Sequence, residues 1–166
     1  MNKHIFILNG IGGCGKDTFG EFMTDIMPTM HYSSVSKVKR IAYLCGWNGG
    51  KTERDRKFLS DLKLLTTEYS DMSFNDISNF VDLFSRNDVI EQVLLIDIRE
   101  PAEIERAKKA FGAKTILIKN DRVPKIESNM ADAGVFDYDY DVVIENNGTL
   151  DEFRETVKKF AEEYLK

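Results

Sequence analysis

Apolar residues follow two patterns along the chain. Short strand-like segments predict five strands, at residues 5–8, 31–32, 92–97, 115–118 and 142–144. Between them, apolar residues recur every three or four positions and predict six helices, at residues 16–26, 36–45, 58–69, 71–85, 101–111 and 150–164. Strands that alternate with helices favour an α/β fold with an open sheet, in which ligands bind beyond the carboxyl ends of the strands.

Residues with strong preferences for helix ends support several of these bounds. Ser36 is predicted to be the N-cap of the second helix, Pro101 suits the first turn of the fifth, and Gly112 stops it. Thr149 and Glu152 fit a capping box at the start of the last helix. Apolar spacing and local chemistry therefore agree at these positions.

One helical segment interrupts the alternation of strands and helices, and one long connection joins the last two strands. Residues 36–85 are predicted to form a helical insert. Residues 119–140 are polar, irregular and too long for an ordinary connection, so they are predicted to form a lid. Because no linker, repeat or low-complexity tract is present, the chain, residues 1–166, is predicted to be a single domain.

A glycine-rich segment connects the first strand to the first helix. It consists of Gly10, Gly12, Gly13, Cys14, Gly15, Lys16, Asp17 and Thr18, with Ile11 between the first two glycines. The spacing from Gly10 to Gly15-Lys16 fits the phosphate-binding loop, or Walker A motif, whose backbone N–H groups converge on anionic oxygens. The positive end of the helix and the Lys16 ammonium add to this site. We therefore predict that the loop binds the phosphates of a nucleoside triphosphate.

The metal site departs from the usual pattern at one position. The residue after the lysine usually carries a Ser or Thr hydroxyl for Mg²⁺, and here it is Asp17. Because Mg²⁺ keeps much of its hydration shell, Asp17 can hold the ion through a bound water. Thr18, one place later, would then hydrogen-bond an inner phosphate.

The same glycines also satisfy G-x-G-x-x-G, the dinucleotide-binding fingerprint. That interpretation requires an acidic residue about 20 positions further on, and residues 30–36 contain none. A glycine-rich turn without a ligand is a third alternative, although six residues of turn chemistry ending in Gly15-Lys16 rarely serve packing alone. The missing acidic residue and the composition of the turn therefore favour the triphosphate over both alternatives.

Composition limits the partners of this chain. Its 166 residues are 42% apolar and 31% charged, which is ordinary for a soluble globular protein. The net charge of −5 argues against binding to a nucleic acid polymer, which needs a surplus of Lys and Arg. Cys14 and Cys45 form no C-x-x-C pair and are predicted to be free thiols, and no apolar run has membrane-spanning length. These features predict a cytoplasmic protein without a membrane partner, and they leave the oligomeric state open.

Charged residues follow the third predicted strand and occur in the lid. Asp97 ends the strand and Arg99 comes two places later, so both are expected near the phosphate loop. There Asp97 can hold the water shell of Mg²⁺ and Arg99 can grip a second phosphate, although an Asp97–Arg99 pair that caps the strand is the structural alternative. Arg122 is the lid residue expected to stabilise a transferring phosphoryl group. His4 and His31 flank strands without metal-ligand partners and are interpreted as structural.

Several segments in this order resemble the P-loop nucleoside monophosphate kinases, most closely the deoxynucleoside monophosphate kinases of bacteriophages and bacteria. They are residues 15–18, 36–47, 97–103 and 141–150. The resemblance implies a three-layer P-loop kinase fold with a five-stranded parallel sheet, helices on both faces, a lid and an acceptor-binding insert. It also implies residue roles. The donor triphosphate and its metal would be served by Lys16, Asp17 and Thr18. The acceptor phosphate would be contacted by Arg99, with help from Lys39 and Arg56. The donor adenine would lie beside Asn147, Gly148 and Thr149.

The resulting prediction is an ATP-dependent phosphotransferase that uses Mg²⁺ and moves the γ-phosphoryl group to a (deoxy)nucleoside monophosphate. Its candidate catalytic residues are Lys16, Asp97, Arg99 and Arg122. Two alternatives remain. One is a kinase for another phosphorylated metabolite, such as phosphomevalonate or dephospho-coenzyme A, and the other is a catalytically inactive nucleotide-binding protein. The sequence does not identify the base or the sugar of the acceptor.

Overall fold

The computed structural model describes residues 2–86, 92–124 and 134–165. The residues Tyr32–Arg86 form one compact unit, and the described residues before and after them form another. The described strands are β1 (His4–Asn9), β2 (Thr29–Ser33), β3 (Val93–Asp97), β4 (Lys114–Lys119) and β5 (Val142–Glu145). The described helices are α1 (Lys16–Ile26), α2 (Ser36–Leu44), α3 (Glu53–Ser70), α4 (Met72–Arg86), α5 (Pro101–Phe111) and α6 (Leu150–Tyr164).

The five strands form one parallel sheet in the order β2-β3-β1-β4-β5. The register places Leu8 of β1 opposite Asp97 of β3, and Lys119 of β4 opposite Glu145 of β5. Because the strands are parallel, the loops after β1, β3, β4 and β5 leave the same edge of the sheet. The predicted α/β class and five-stranded parallel sheet are confirmed.

Aromatic side chains hold α1 and α6 against one face of the sheet. Phe160 of α6 meets the rings of Phe6 in β1 and Phe19 in α1 edge-on, at centroid distances of 5.2 and 5.5 Å. Full burial of a phenylalanine contributes about 1.5–3 kcal/mol, and Phe6 and Phe19 are at most 2% exposed. On α5, which packs against β1 and β4, Ile104 and Ala107 are fully buried. This packing fixes the direction in which α1 leaves the loop after β1.

The second unit has its own small core. Helices α2, α3 and α4 pack against one another, and the buried apolar residues among them are Val38, Ala42, Ile77, Val81 and Phe84. Tyr32 stacks on Phe80 at 4.1 Å between ring centroids. The segment predicted to be the helical insert, residues 36–85, lies within this unit, and its role in acceptor binding stays a prediction.

The observed helix ends match some of the caps predicted from the sequence and differ from others. The capping box of Thr149 and Glu152 is confirmed, and Pro101 begins α5 as predicted. Ser36 was wrong as an N-cap. The N-cap is Val35, without a side-chain cap, because the Val35 carbonyl oxygen accepts a helical hydrogen bond from the Lys39 N–H at 2.9 Å and Ser36 is already helical. A second capping box, Thr52 with Asp55, starts α3 before the first apolar residue of its repeat, which explains its longer span.

Two further predictions concern the lid and membrane-spanning helices. Of the predicted lid, residues 125–133 lie outside the described residues. Among the described helices, none combines the length and the apolar character needed to cross a membrane.

Candidate functional site

The loop after β1 has a backbone that requires glycine at several positions. Gly10, Gly13 and Gly15 have φ angles of 150°, 80° and 110°. A Cβ on Gly10 would lie 2.5 Å from Cys14 Sγ and 2.5 Å from the Ile118 carbonyl oxygen, so no side chain fits there. Gly12 and Gly13 are exposed, which leaves the backbone at the tip of the loop accessible to a ligand.

Lys16, the first residue of α1, folds back over this loop. Its Nζ donates to the carbonyl oxygens of Gly10 and Ile11, at 2.7 and 3.1 Å. The N-cap, Gly15, provides no side-chain cap, so the first N–H groups of α1 receive no side-chain acceptor from it. An ammonium beside the N-terminus of a helix forms an anion site, and Asp17 lies exposed in the first turn. Thr18, the next residue, is half-buried.

Cys14 lies inside the same loop with its side chain fully buried. Burial raises the pKa of its thiol, and the neighbouring Lys16 opposes that shift without reversing it. The thiol is therefore protonated at neutral pH and serves as a small packing group. Cys14 and Cys45 are both free, as predicted.

Asn9 is a buried residue with three side-chain hydrogen bonds, and the sequence analysis did not identify it. Its Oδ1 accepts the Gly10 N–H at 2.8 Å, and its Nδ2 donates to the Arg99 carbonyl oxygen at 3.0 Å and to the Tyr140 hydroxyl at 2.7 Å. Tyr140 in turn donates to the Val135 carbonyl oxygen at 2.7 Å. Asn9 thus joins the first glycine of the loop to the backbone of Arg99. A polar residue at the end of an apolar strand was the available signal.

Asp97, the last residue of β3, and His31, in the middle of β2, lie side by side. The His31 Nε2 lies 3.1 Å from Asp97 Oδ2, and the other carboxylate oxygen is buried without a hydrogen-bond partner among the described residues. The hydrogen bond to Asp97 raises the pKa of His31; burial opposes the shift, Asp17 adds to it and Lys16 opposes it. Asp97, Asp17 and Lys16 therefore all lie close enough to His31 to influence its imidazole.

This arrangement fits a hydrated Mg²⁺ ion. The described residues contain no cluster of three or more His, Cys, Asp or Glu side chains that would hold a metal alone. Mg²⁺ in phosphate-binding proteins usually relies on one or two carboxylates, water and the phosphates themselves. The partnerless oxygen of Asp97 and the exposed carboxylate of Asp17 would supply that share of the coordination shell.

Two asparagines follow β5, and the first of them contacts the loop. Asn146 Nδ2 donates to the Cys14 carbonyl oxygen at 3.0 Å, and a Cβ on Gly15 would lie 2.5 Å from that nitrogen. Arg122 Nη2 donates to the Asn146 carbonyl oxygen at 3.3 Å. Asn147 Oδ1 accepts from the Asp121 N–H at 2.8 Å. The structure thus brings Arg122 and Asn147 to the same side of the loop.

The remaining predicted residues are placed as follows. Gly148 lies beside the Glu152 carboxylate, where a Cβ would clash, and Thr149 caps α6. Both fix the turn that presents Asn147. Lys39 and Arg56 are exposed on α2 and α3 of the second unit.

Comparisons with known proteins show the fold. No protein-family model and no curated protein matches the chain. Among solved structures, it is similar to TT1252 from Thermus thermophilus, with 15% identity, 99% of each chain covered and a TM-score of 0.55. It is also similar to a protein from Chloroflexus aurantiacus that is described as a proposed kinase, with 9% identity, 97% of each chain covered and a TM-score of 0.50. The chain thus shares its α/β fold, with a five-stranded parallel sheet, with proteins of known structure. At these identities the likeness concerns the fold and not the activity.

Proposed function

We propose that this protein is an ATP-dependent phosphotransferase that moves the γ-phosphoryl group to the phosphate of a (deoxy)nucleoside monophosphate. The observation that carries this proposal is the loop from Gly10 to Lys16, with three positive φ angles, an accessible tip and an ammonium folded over it. Such a loop suits an anion with several phosphates. The acceptor rests on the sequence resemblance, and the P-loop kinase fold is compatible with it.

Donor binding follows from the loop and the first turn of α1. Backbone N–H groups bind the phosphate oxygens, and Lys16 exchanges its contacts with the Gly10 and Ile11 carbonyls for contacts with the outer phosphates. Arg122 and Asn147 lie near the loop on the side where the donor adenine is expected. When bound, Mg²⁺ would neutralise phosphate charge, held through water by Asp17 and Asp97.

In the reaction, an oxygen of the acceptor phosphate attacks the γ-phosphorus, the bond to the β–γ bridging oxygen breaks, and ADP leaves. No covalent enzyme intermediate is required. Arg99 aligns the acceptor phosphate and reduces the repulsion between two anions. Arg122 stabilises the charge that spreads over the transferring group.

A coupled assay of ADP release tests this proposal. The assay uses Mg²⁺·ATP with each common ribo- and deoxyribonucleoside monophosphate, and separately with phosphomevalonate and dephospho-coenzyme A. We expect at least one monophosphate to raise ADP release well above the acceptor-free rate. Lys16→Ala should abolish turnover. Lys109→Ala removes an exposed lysine on α5 that forms an ion pair with Glu105 of the same helix, and it should leave turnover unchanged.

The outcomes separate the three hypotheses. Stimulation by one of the two metabolites alone indicates a kinase for another phosphorylated compound. ATP binding without stimulation by any acceptor indicates an inactive nucleotide-binding protein. If no acceptor stimulates ADP release, the proposed activity is wrong.

A further inference from the structure

His31 makes one specific polar contact with a residue of the candidate site. Its Nε2 lies 3.1 Å from Asp97 Oδ2, and the two side chains are 28% and 21% exposed. His31 belongs to β2 and Asp97 ends β3, which is the neighbouring strand of the sheet. The contact therefore joins two adjacent strands where Asp97 leaves the sheet.

Gly20 of α1 makes room for this contact. A Cβ at Gly20 would lie 2.7 Å from His31 Nδ1 and 3.3 Å from Cε1, so any larger residue would push the imidazole away. Gly20 has no positive φ angle and lies within the helix, where glycine costs about 1 kcal/mol relative to alanine. The helix thus has glycine, which weakens it, at a position that faces the imidazole.

The two oxygens of Asp97 have different surroundings. One accepts from His31, while the other is buried without a hydrogen-bond partner among the described residues. A buried carboxylate oxygen without a partner is costly unless a ligand completes it. The His31 bond fixes the rotation of the carboxylate and so determines where the second oxygen points.

We propose that His31 is a positioning residue, which holds the Asp97 carboxylate in the orientation that binds the hydrated Mg²⁺ of the bound triphosphate. This inference rests on the proposed function. Side chains that orient a metal-binding carboxylate typically change metal affinity by about 10- to 100-fold when removed. His31 contacts neither phosphate nor metal in this proposal and acts through Asp97 alone.

The test measures how strongly Mg²⁺ tightens ATP binding. The affinity of the full chain for ATP is measured by calorimetry with excess Mg²⁺ and again with EDTA, and the ratio of the two dissociation constants is the readout. We expect His31→Leu to reduce this ratio about tenfold with little change in the EDTA value. His31→Gln, which retains an N–H donor, should restore most of the ratio. His4→Leu, at the other histidine of the chain, is the matched control and should leave it unchanged.

Gly20→Ala provides a second variant that removes neither polar group. Its Cβ should displace the imidazole and reduce the ratio as His31→Leu does. In the His31→Leu background it should have no further effect on the ratio, because the contact is already lost. This cycle keeps the proposal testable if one of the variants folds poorly.

Each outcome has a definite meaning. If His31→Leu and Gly20→Ala weaken ATP binding equally with and without Mg²⁺, the role of His31 is only structural and the inference is overturned. If the wild-type ratio is close to one while ATP still binds, the proposed metal site is wrong and the inference fails with it. If the wild type binds no ATP under either condition, the proposed function itself fails.

Discussion

Replacement of Gly10 by alanine tests whether the shape of the loop is set by close contacts. Gly10 combines a φ angle of 150° with a position between two groups that would each lie 2.5 Å from an added Cβ. One of them is the backbone carbonyl of Ile118 in β4, which cannot rotate away. The Cys14 sulfur on the other side is fully buried. Alanine can therefore be accommodated only if the loop moves away from the sheet.

The expected cost has two parts. The unfavourable φ angle costs about 1–3 kcal/mol, and forcing an extra carbon into a packed site costs about 1–3 kcal/mol more. Gly112, at the end of α5, has a φ angle of 62° and no atom within 4 Å of an added Cβ. Gly112→Ala therefore carries the backbone penalty alone, about 1 kcal/mol. The difference between the two variants isolates the steric contribution.

Equilibrium unfolding in urea, monitored by circular dichroism, measures the free energy of unfolding of both variants, and thermal unfolding measures their Tm. We expect Gly10→Ala to lower the free energy of unfolding by about 4 kcal/mol, which corresponds to a fall in Tm of about 8–16 °C. Gly112→Ala should lower Tm by about 2–4 °C. Gly10→Ala should also weaken ATP binding, since the first amide of the loop is displaced, and Gly112→Ala should not. Equal destabilisation by the two variants would refute the steric reasoning.

Two further substitutions address Asp141, which precedes β5, and Asn147, which follows it. Asp141 accepts from the Thr115 backbone and hydroxyl and from Lys108, at 2.7 to 3.0 Å. Burial raises the pKa of Asp141, but these donors outweigh it and hold the pKa below its usual range. The stabilisation that the Asp141 carboxylate gives the fold is therefore complete above about pH 4 and is lost as pH falls through the folded pKa. Asp141→Asn should cost about 1–2 kcal/mol of unfolding free energy at pH 7 and should flatten the acid side of a plot of Tm against pH. An unchanged acid side would contradict this. Asn147→Ala breaks two hydrogen bonds to Asp121 and should raise the KM for ATP severalfold while leaving the KM of the acceptor unchanged, and an effect on the acceptor alone would oppose the adenine-side assignment.

Apolar periodicity was sufficient to predict most of the fold. The runs in β1, β3 and β4 are nearly continuous because the middle strands of the sheet are covered on both faces. β2 was predicted too short because its residues are half-buried or exposed and give no such signal. α3 was also predicted too short, since it has no fully buried residue and its start is set by Thr52 and Asp55.

The candidate site was only partly predictable. The loop from Gly10 to Lys16 is local in sequence, so its spacing already indicates its geometry. Asn9, His31 and Asn146 act through partners 66 to 132 positions away, and those pairings depend on the strand order, which a single sequence does not reveal. His31 was interpreted as structural because its only recognisable signal, the contact with Asp97, exists after the strands have assembled.

In the proposed function, the backbone amides of the loop bind the phosphates of ATP. The chain has eleven glycines, so selective ¹⁵N-glycine labelling gives a simple ¹H–¹⁵N spectrum in which each loop amide can be followed during addition of Mg²⁺·ATP. We predict that the signals of Gly10, Gly12, Gly13 and Gly15 shift, whereas that of Gly112 does not. Loop signals that stay in place at saturating nucleotide, or that shift no more than that of Gly112, would contradict the account.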